Sequence, residues 1–239
     1  MRRLFRSFER ARLDYLLISG QASILYGAAT FSEGVDLWIR PTPSNARRLL
    51  AALAARRARV YKLTPPLSRR NLAAGHGFHF LVPSRPAPIY LDIMGRPPRV
   101  GPFAAARKRA RVLRTAWGDV PVVSIPDLIA LKRTQRIADY EVISGLARIA
   151  VSGVARPTRT LLAWAARNSY RAEERAGFLR ALGRTVALEP LRRGIAREIA
   201  SLQTRDAAYW RRIIRDLRRL RHRGGLLPDG IPVADLLRR

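Results

Sequence analysis

Through the first 150 residues, short apolar runs closed by Gly or Pro alternate with stretches of helical periodicity. That alternation restricts this part of the chain to an α/β architecture. Residues 2–12 read as a basic amphipathic helix. Tyr15–Ile18 is an apolar run ending at Ser19-Gly20, and Gln21–Tyr26 reads as a helix closed by Gly27. Val35–Ile39 is a strand, and Pro41-Thr-Pro-Ser44 opens an Ala/Leu/Arg-rich helix over residues 44–57. A strand is expected at Val60–Leu63, and a loop over residues 64–75, which hold two prolines. Phe78–Val82 and Ile89–Met94 are strands separated by a Pro-rich turn. Residues 102–113 are basic and read as helical, and Val120–Ser124 as a strand. Ser124-Ile-Pro-Asp127 opens a helix whose apolar stripe runs through Leu128, Leu131 and Ile137. From about residue 152 the strand signals fade. Helices are expected over residues 157–168, 171–183, 188–203 and 205–222, which divides the chain into 1–150 and a basic helical region, 151–239.

Charge narrows the function classes. The chain carries 46 Lys+Arg against 17 Asp+Glu, a net charge of +29, and only three of the bases are Lys. A GC-rich genome accounts for Arg in place of Lys but not for the shortage of acids. Two readings are open: a polyanionic partner such as nucleic acid, or a solubilising surface. The excess is spread over both parts, +17 and +12. The absence of cysteine excludes disulfides, thiolate zinc sites, iron–sulfur clusters and a Cys nucleophile. Residues 15–32 are uncharged but too polar and interrupted for a membrane span. The basic N-terminus lacks the apolar segment of a signal peptide, so no membrane association and a cytoplasmic location are expected.

Two of the nine acids in the first part sit inside apolar strands: Asp36 in Val35-Asp-Leu-Trp-Ile39 and Asp92 in Ile89-Tyr-Leu-Asp-Ile-Met94. A carboxylate there is costly unless it is paired, hydrogen-bonded or metal-bound. Side by side, the two strands would present both carboxylates on one face, a natural Mg²⁺ site. The alternative is that each aspartate pairs with one of the many arginines.

The stretch Tyr15-Leu-Leu-Ile-Ser-Gly-Gln-Ala-Ser-Ile-Leu-Tyr-Gly27, followed by Phe31-Ser-Glu-Gly-Val-Asp-Leu-Trp38, resembles the opening of polymerase-β-type nucleotidyltransferases. It is most similar to the small bacterial members of toxin–antitoxin and abortive-infection systems. Tyr90-Leu-Asp92-Ile-Met-Gly95 matches that family's later carboxylate strand, and Asp127-Leu-Ile-Ala-Leu-Lys132 through Arg136 and Asp139 its following helix. The match covers about residues 13–150. The resemblance implies a nucleotidyltransferase-like mixed sheet with flanking helices. It implies transfer of a nucleotidyl group from an NTP, with Asp36 and Asp92 holding Mg²⁺ as catalytic carboxylates. It places Ser19 and Gly20 at the triphosphate, where a helix N-terminus and a bare backbone suit phosphate, although Gly20 also reads simply as a tight turn. Lys132 and Arg136, four apart on one predicted helix face, read either as phosphate contacts or as a solvated basic face with Arg136 paired to Asp139 three residues later. With the charge, the resemblance points to an RNA acceptor such as a tRNA end; a toxin or antitoxin partner protein is a further implication.

One departure is serious. The family carries two carboxylates two residues apart on this strand, on one face, and those positions here are Gly34 and Asp36. Glu33 is adjacent but points to the other face unless a bulge at Gly34 turns it inward. The expectation is therefore an impaired transferase or, alternatively, an inactive RNA- or partner-binding module of the same fold. Ser19, where the family has Gly, is a milder departure. His76 and His79 read as a metal pair or as strand-edge side chains; no third ligand lies nearby. In the last helix, Trp210, Ile213, Ile214, Leu217 and Leu220 form one apolar stripe, among six arginines. The helix reads as packed on its neighbours with a wet basic face, as an RNA track, or as a membrane-surface helix. Tyr209-Trp210 suits base stacking, but Trp210 fits the buried stripe better.

Overall fold

A computed structural model describes residues 1–134, 136–184 and 191–238. A helix, α1 (Arg2–Arg10), leads into β1 (Tyr15–Ile18), α2 (Ser19–Leu25), β2 (Gly34–Ile39) and α3 (Pro43–Ala54). Then come β3 (Arg59–Val60), α4 (Arg69–Ala74), the hairpin β4 (Gly77–Val82) and β5 (Ile89–Met94), and α5 (Phe103–Arg109). A second hairpin, β6 (Arg111–Thr115) and β7 (Gly118–Val122), precedes α6 (Ile125–Lys132) and α7 (Ala138–Ser152). The remainder is helical: α8 (Arg159–Asn168), α9 (Ala172–Ala181), α10 (Leu191–His222) and α11 (Val233–Leu236). The expected mixed sheet with flanking helices and a helical C-terminal region is the observed architecture.

The strands form one sheet in the order β3-β4-β5-β2-β1-β7-β6. β2 runs parallel to β5, and β1 parallel to β7; the other neighbours are antiparallel. β1, an interior strand between β2 and β7, is buried along all four residues, which explains its uninterrupted Tyr-Leu-Leu-Ile. α1 lays Phe5 and Phe8 against Tyr15, and Phe5 stacks on Trp117. Asn45, buried in α3, pins the outer ends of β1 and β2. Its Oδ1 accepts from the Asp14 amide at 2.9 Å, and its Nδ2 donates to the carbonyls of Asp14 and Arg40.

Several sequence expectations give way. Residues 69–74 are helical rather than loop, because Ser68 caps the turn and Gly75 ends it at φ 88°. β3 (Arg59–Val60) overlaps the expected strand at Val60 and does not extend to Leu63. The basic run 102–113 splits: α5 ends at Arg109, and Arg111–Thr115 pairs with β7, so tertiary pairing overrides helical composition. α6 ends at Lys132, which leaves Ile137 outside its stripe and 69% exposed. The two expected final helices are one, α10. Its Thr204 bonds the Ala200 carbonyl and Asp206 pairs with Arg99, so neither caps a new start. Residues 188–190, the beginning of the expected third helix, lie outside the described residues.

Asn45→Ala removes the acceptor of the Asp14 amide and one of the two donors to each of the Asp14 and Arg40 carbonyls. Urea unfolding is expected to show a loss of about 2–3 kcal/mol, and a loss under about 0.5 kcal/mol would contradict the pinning role.

Candidate functional site

One register line crosses four strands: Ile18 on β1, Asp36 on β2, Asp92 on β5 and His79 on β4. Asp36 and Asp92 are therefore direct neighbours on parallel strands, their side chains on one face of the sheet. Their surroundings differ. The Asp36 carboxyl is pushed up to about 6, first by burial and next by the Asp92 charge, against the opposing pull of the Ser19 hydroxyl, Lys132 and Arg136. Asp92 is half-exposed, and His79 Nδ1 donates to its Oδ1 at 2.7 Å. His79 is itself held by its backbone: its amide donates to Thr64 Oγ1 and its carbonyl accepts from the Tyr61 amide. The histidine orients a carboxylate, a role that adjacent strands made available and that the spacing of His76 and His79 did not reveal.

Ser19, Asp36, Lys132, Arg136, Asp139 and Trp210 line the cleft in front of this line. Four of the six sequence-predicted residues are among them, and Asp92 borders Asp36. Ser19 adopts φ 59°, the left-handed region that favours glycine, which accounts for a Gly preference at such a turn. The serine retains that backbone, and its hydroxyl favours the ionised form of the Asp36 carboxyl. At Gly20 the backbone is packed against Ser32. A Cβ there would meet Ser32 Oγ at 2.2 Å and Ser32 Cβ at 2.7 Å, so the room left by the missing side chain is taken by Ser32.

Lys132 and Arg136 reach the cleft, though not from one helix face. Lys132 ends α6, and Arg136 lies in the link to α7. Both meet Asp139, at 2.9 Å and 3.6 Å, and Thr134 also donates to it. Asp139 thus anchors the two cations beside the carboxylate pair. Gly34 pairs with Tyr90 in unbroken register, so no bulge turns Glu33 inward, and Glu33 is exposed. A Cβ at Gly34 would lie 3.2 Å from the Tyr90 carbonyl oxygen, a tight but adjustable fit. Among the described residues no cluster of three or more His, Cys, Asp or Glu could hold a metal. His76 takes no part in the cleft: it is buried and faces Asp216 at 3.7 Å.

α10 closes one side of the cleft. Arg99 donates to the Ala130 and Leu131 carbonyls at the end of α6 and pairs with Asp206 of α10. Tyr209 donates to the Gly75 carbonyl at 2.8 Å. The expected buried stripe is only partly buried: Ile213 is inside, but Trp210 is 41% and Ile214 46% exposed. Tyr209 and Ile213 face the protein instead, which rotates Trp210 to the cleft mouth. Helical periodicity could not choose between these faces, because both are apolar.

No protein-family model matches the sequence, and no curated protein matches it. Among solved structures, one from H. pylori, provisionally named a nucleotidyltransferase, is 14% identical with a TM-score of 0.44, over 92% of this chain and 94% of its own. JHP933 from Helicobacter pylori is 13% identical with a TM-score of 0.45, over 93% and 94%. A Thermotoga maritima protein, also provisionally named a nucleotidyltransferase, is 14% identical with a TM-score of 0.38, over 68% and 88%. At these identities and scores the neighbours assign neither activity nor substrate to this chain.

Two stability predictions follow from the geometry. Because the Asp36 carboxyl titrates higher folded than unfolded, its ionisation opposes folding as pH rises from about 4 to about 6. Asp36→Asn in EDTA is expected to raise stability at pH 7.5 by on the order of 1–3 kcal/mol, with the gain fading towards pH 4; no gain at pH 7.5 contradicts the burial cost. Gly20→Ala is expected to cost about 1–3 kcal/mol, with most of it recovered in the Gly20→Ala, Ser32→Gly double variant by thermal unfolding.

Proposed function

We propose that the cleft binds a nucleoside triphosphate with a single Mg²⁺ and transfers its nucleotidyl group to an acceptor hydroxyl, slowly because Gly34 replaces a carboxylate. The observation that carries this is the Asp36–Asp92 pair at one register position, opening onto a cleft with Lys132 and Arg136. Two carboxylates opposed at one register position attract a hard cation, and cations beside them suit a polyphosphate.

The donor set fits one Mg²⁺ and not two. Asp36 and Asp92 supply carboxylate oxygens, one Asp92 oxygen is engaged by His79, and Gly34 brings no third donor. When bound, Mg²⁺ supplies charge neutralisation for the triphosphate. The protein's own residues do the rest. Ser19 and His79 hold the two carboxylates in place, and Lys132 and Arg136 present positive charge where negative charge develops. In the transfer, the acceptor oxygen bonds to the α-phosphorus, the bond to the bridging oxygen breaks, and pyrophosphate departs, while the hydroxyl proton passes to water. The net charge of +29 favours RNA, such as a tRNA end, as acceptor. Cytoplasmic function accords with it, and no helix among the described residues is long and apolar enough to cross a membrane. A toxin or antitoxin partner is the corresponding protein-level proposal, checked by co-purification.

Gly34 also favours a second reading, a binding module without turnover. Transfer of label from four α-labelled NTPs to total RNA with Mg²⁺ separates the two. The chain is expected to transfer weakly, Asp36→Ala to be inactive, and Gly34→Asp to gain at least about tenfold, one ligand's worth of positioning. Transfer by Gly34→Asp alone indicates a disabled site, and silence from all three favours the binding module.

A further inference from the structure

α10 carries ten arginines and three acids between Leu191 and His222, and the acids all turn inward. Glu198 bonds Arg133 and Tyr170, Asp206 pairs with Arg99, and Asp216 faces His76. The helix thus uses its negative charge for docking and leaves the nine arginines from Arg193 to Arg221 exposed. Two of them, Arg205 and Arg212, join Arg96 and Tyr209 in a groove alongside the cleft. Only the Pro97–Pro98–Arg99 segment separates the two, since it lines both. Arg212 is fixed in place: it donates to the Ala74 carbonyl and lies 5.8 Å from the Tyr209 ring centre. Arg96 and Arg205 have exposed side chains with no ion-pair partner among the described residues. Trp210, one residue along from Tyr209, stands at the cleft mouth beside Asp36.

A cluster of arginines in a groove that adjoins a cleft lined by an exposed indole and Asp36 has a specific chemical match. From it we infer that single-stranded nucleic acid lies along the Arg96–Arg205–Arg212 groove, phosphates on the arginines, with a base stacked on Trp210 at the entrance to the cleft. The groove supplies charge for the backbone and the indole a π-face that accepts any base. An acidic polypeptide would use the arginines but leave the indole without a stacking partner. The inference deepens the nucleotidyl-transfer reading, on which it rests for the strand end entering the cleft, while the binding itself needs no catalysis.

The test is binding of a fluorescein-labelled 12-nucleotide single-stranded RNA to the full-length chain in EDTA, from 50 to 200 mM salt, alongside Trp fluorescence. Arg96→Ala with Arg205→Ala is expected to weaken binding about tenfold at low salt and to flatten the log–log salt slope by about 1.4, two phosphates' worth. Trp210→Ala is expected to cost about tenfold with little change in slope and to abolish most RNA-induced quenching. Arg211→Ala with Arg218→Ala removes equal charge from exposed positions outside the groove and is expected to change affinity less than threefold. Equal losses from both double variants, or competition by polyglutamate as effective as by unlabelled RNA, overturn the inference. Circular dichroism of each variant separates misfolding from lost contacts. Groove-dependent binding without label transfer leaves this inference standing and removes the catalytic reading; label transfer with groove-independent binding does the reverse.

Discussion

Two carboxylates opposed on adjacent parallel strands repel each other, and much of the surrounding structure compensates for that repulsion. Asp36 and Asp92 occupy one register position of β2 and β5. Burial of Asp36 makes the repulsion costlier, which its raised proton affinity records. The Ser19 hydroxyl and the Lys132 and Arg136 charges favour the ionised form from one side. His79 fixes Asp92 from the other. Asp139 in turn holds both cations, so a buried acid outside the sheet positions the positive charge that the sheet's own acids require. A stability cost of this kind is tolerable where the charge is to meet a ligand, and it is hard to account for otherwise.

The strongly cationic composition has a related logic. With few acids available, several are placed where they join elements. Asp127 takes a two-pronged contact from Arg109 and the Ser124 hydroxyl, tying α5 to the start of α6. Asp206 links α10 to the loop after β5 through Arg99, and Glu198 links it to the segment after α6. Acids thus act as interior fasteners and arginines remain outside. The protein surface is thereby left strongly positive around a cleft whose floor is negative, an arrangement that draws in a polyanion and a cation together.

Asp36 and Asp92 stood out in the sequence because an acid in an apolar strand demands a reason, and the strand pattern was regular enough to place both. Gly34 was equally readable, since period two fixes which residues share a face. The pairing of Arg136 with Asp139 was readable too, from their spacing of three, but the contacts of His79 with Asp92 and of Asp139 with Lys132, and the place of Trp210, were not. His79 reaches Asp92 only through the pairing of β4 with β5, and Asp139 reaches Lys132 only because α6 stops and the chain turns. Trp210 and Tyr209 offer α10 two apolar faces, and which one is buried depends on the Gly75 and Arg96 carbonyls that receive the Tyr209 hydroxyl.

By itself, the sequence determined the alternation of strands and helices, the identity of the acidic pair, the glycine two residues before Asp36 and the excess of positive charge. These follow from local periodicity and composition, which need no knowledge of distant neighbours. Tertiary structure alone decided that the two aspartates face each other, that Ser32 fills the space over Gly20, and that one continuous helix brings an indole and a cationic groove to the cleft. Each of those depends on contacts between residues far apart in the chain, and their energies come from packing and pairing that no local pattern encodes.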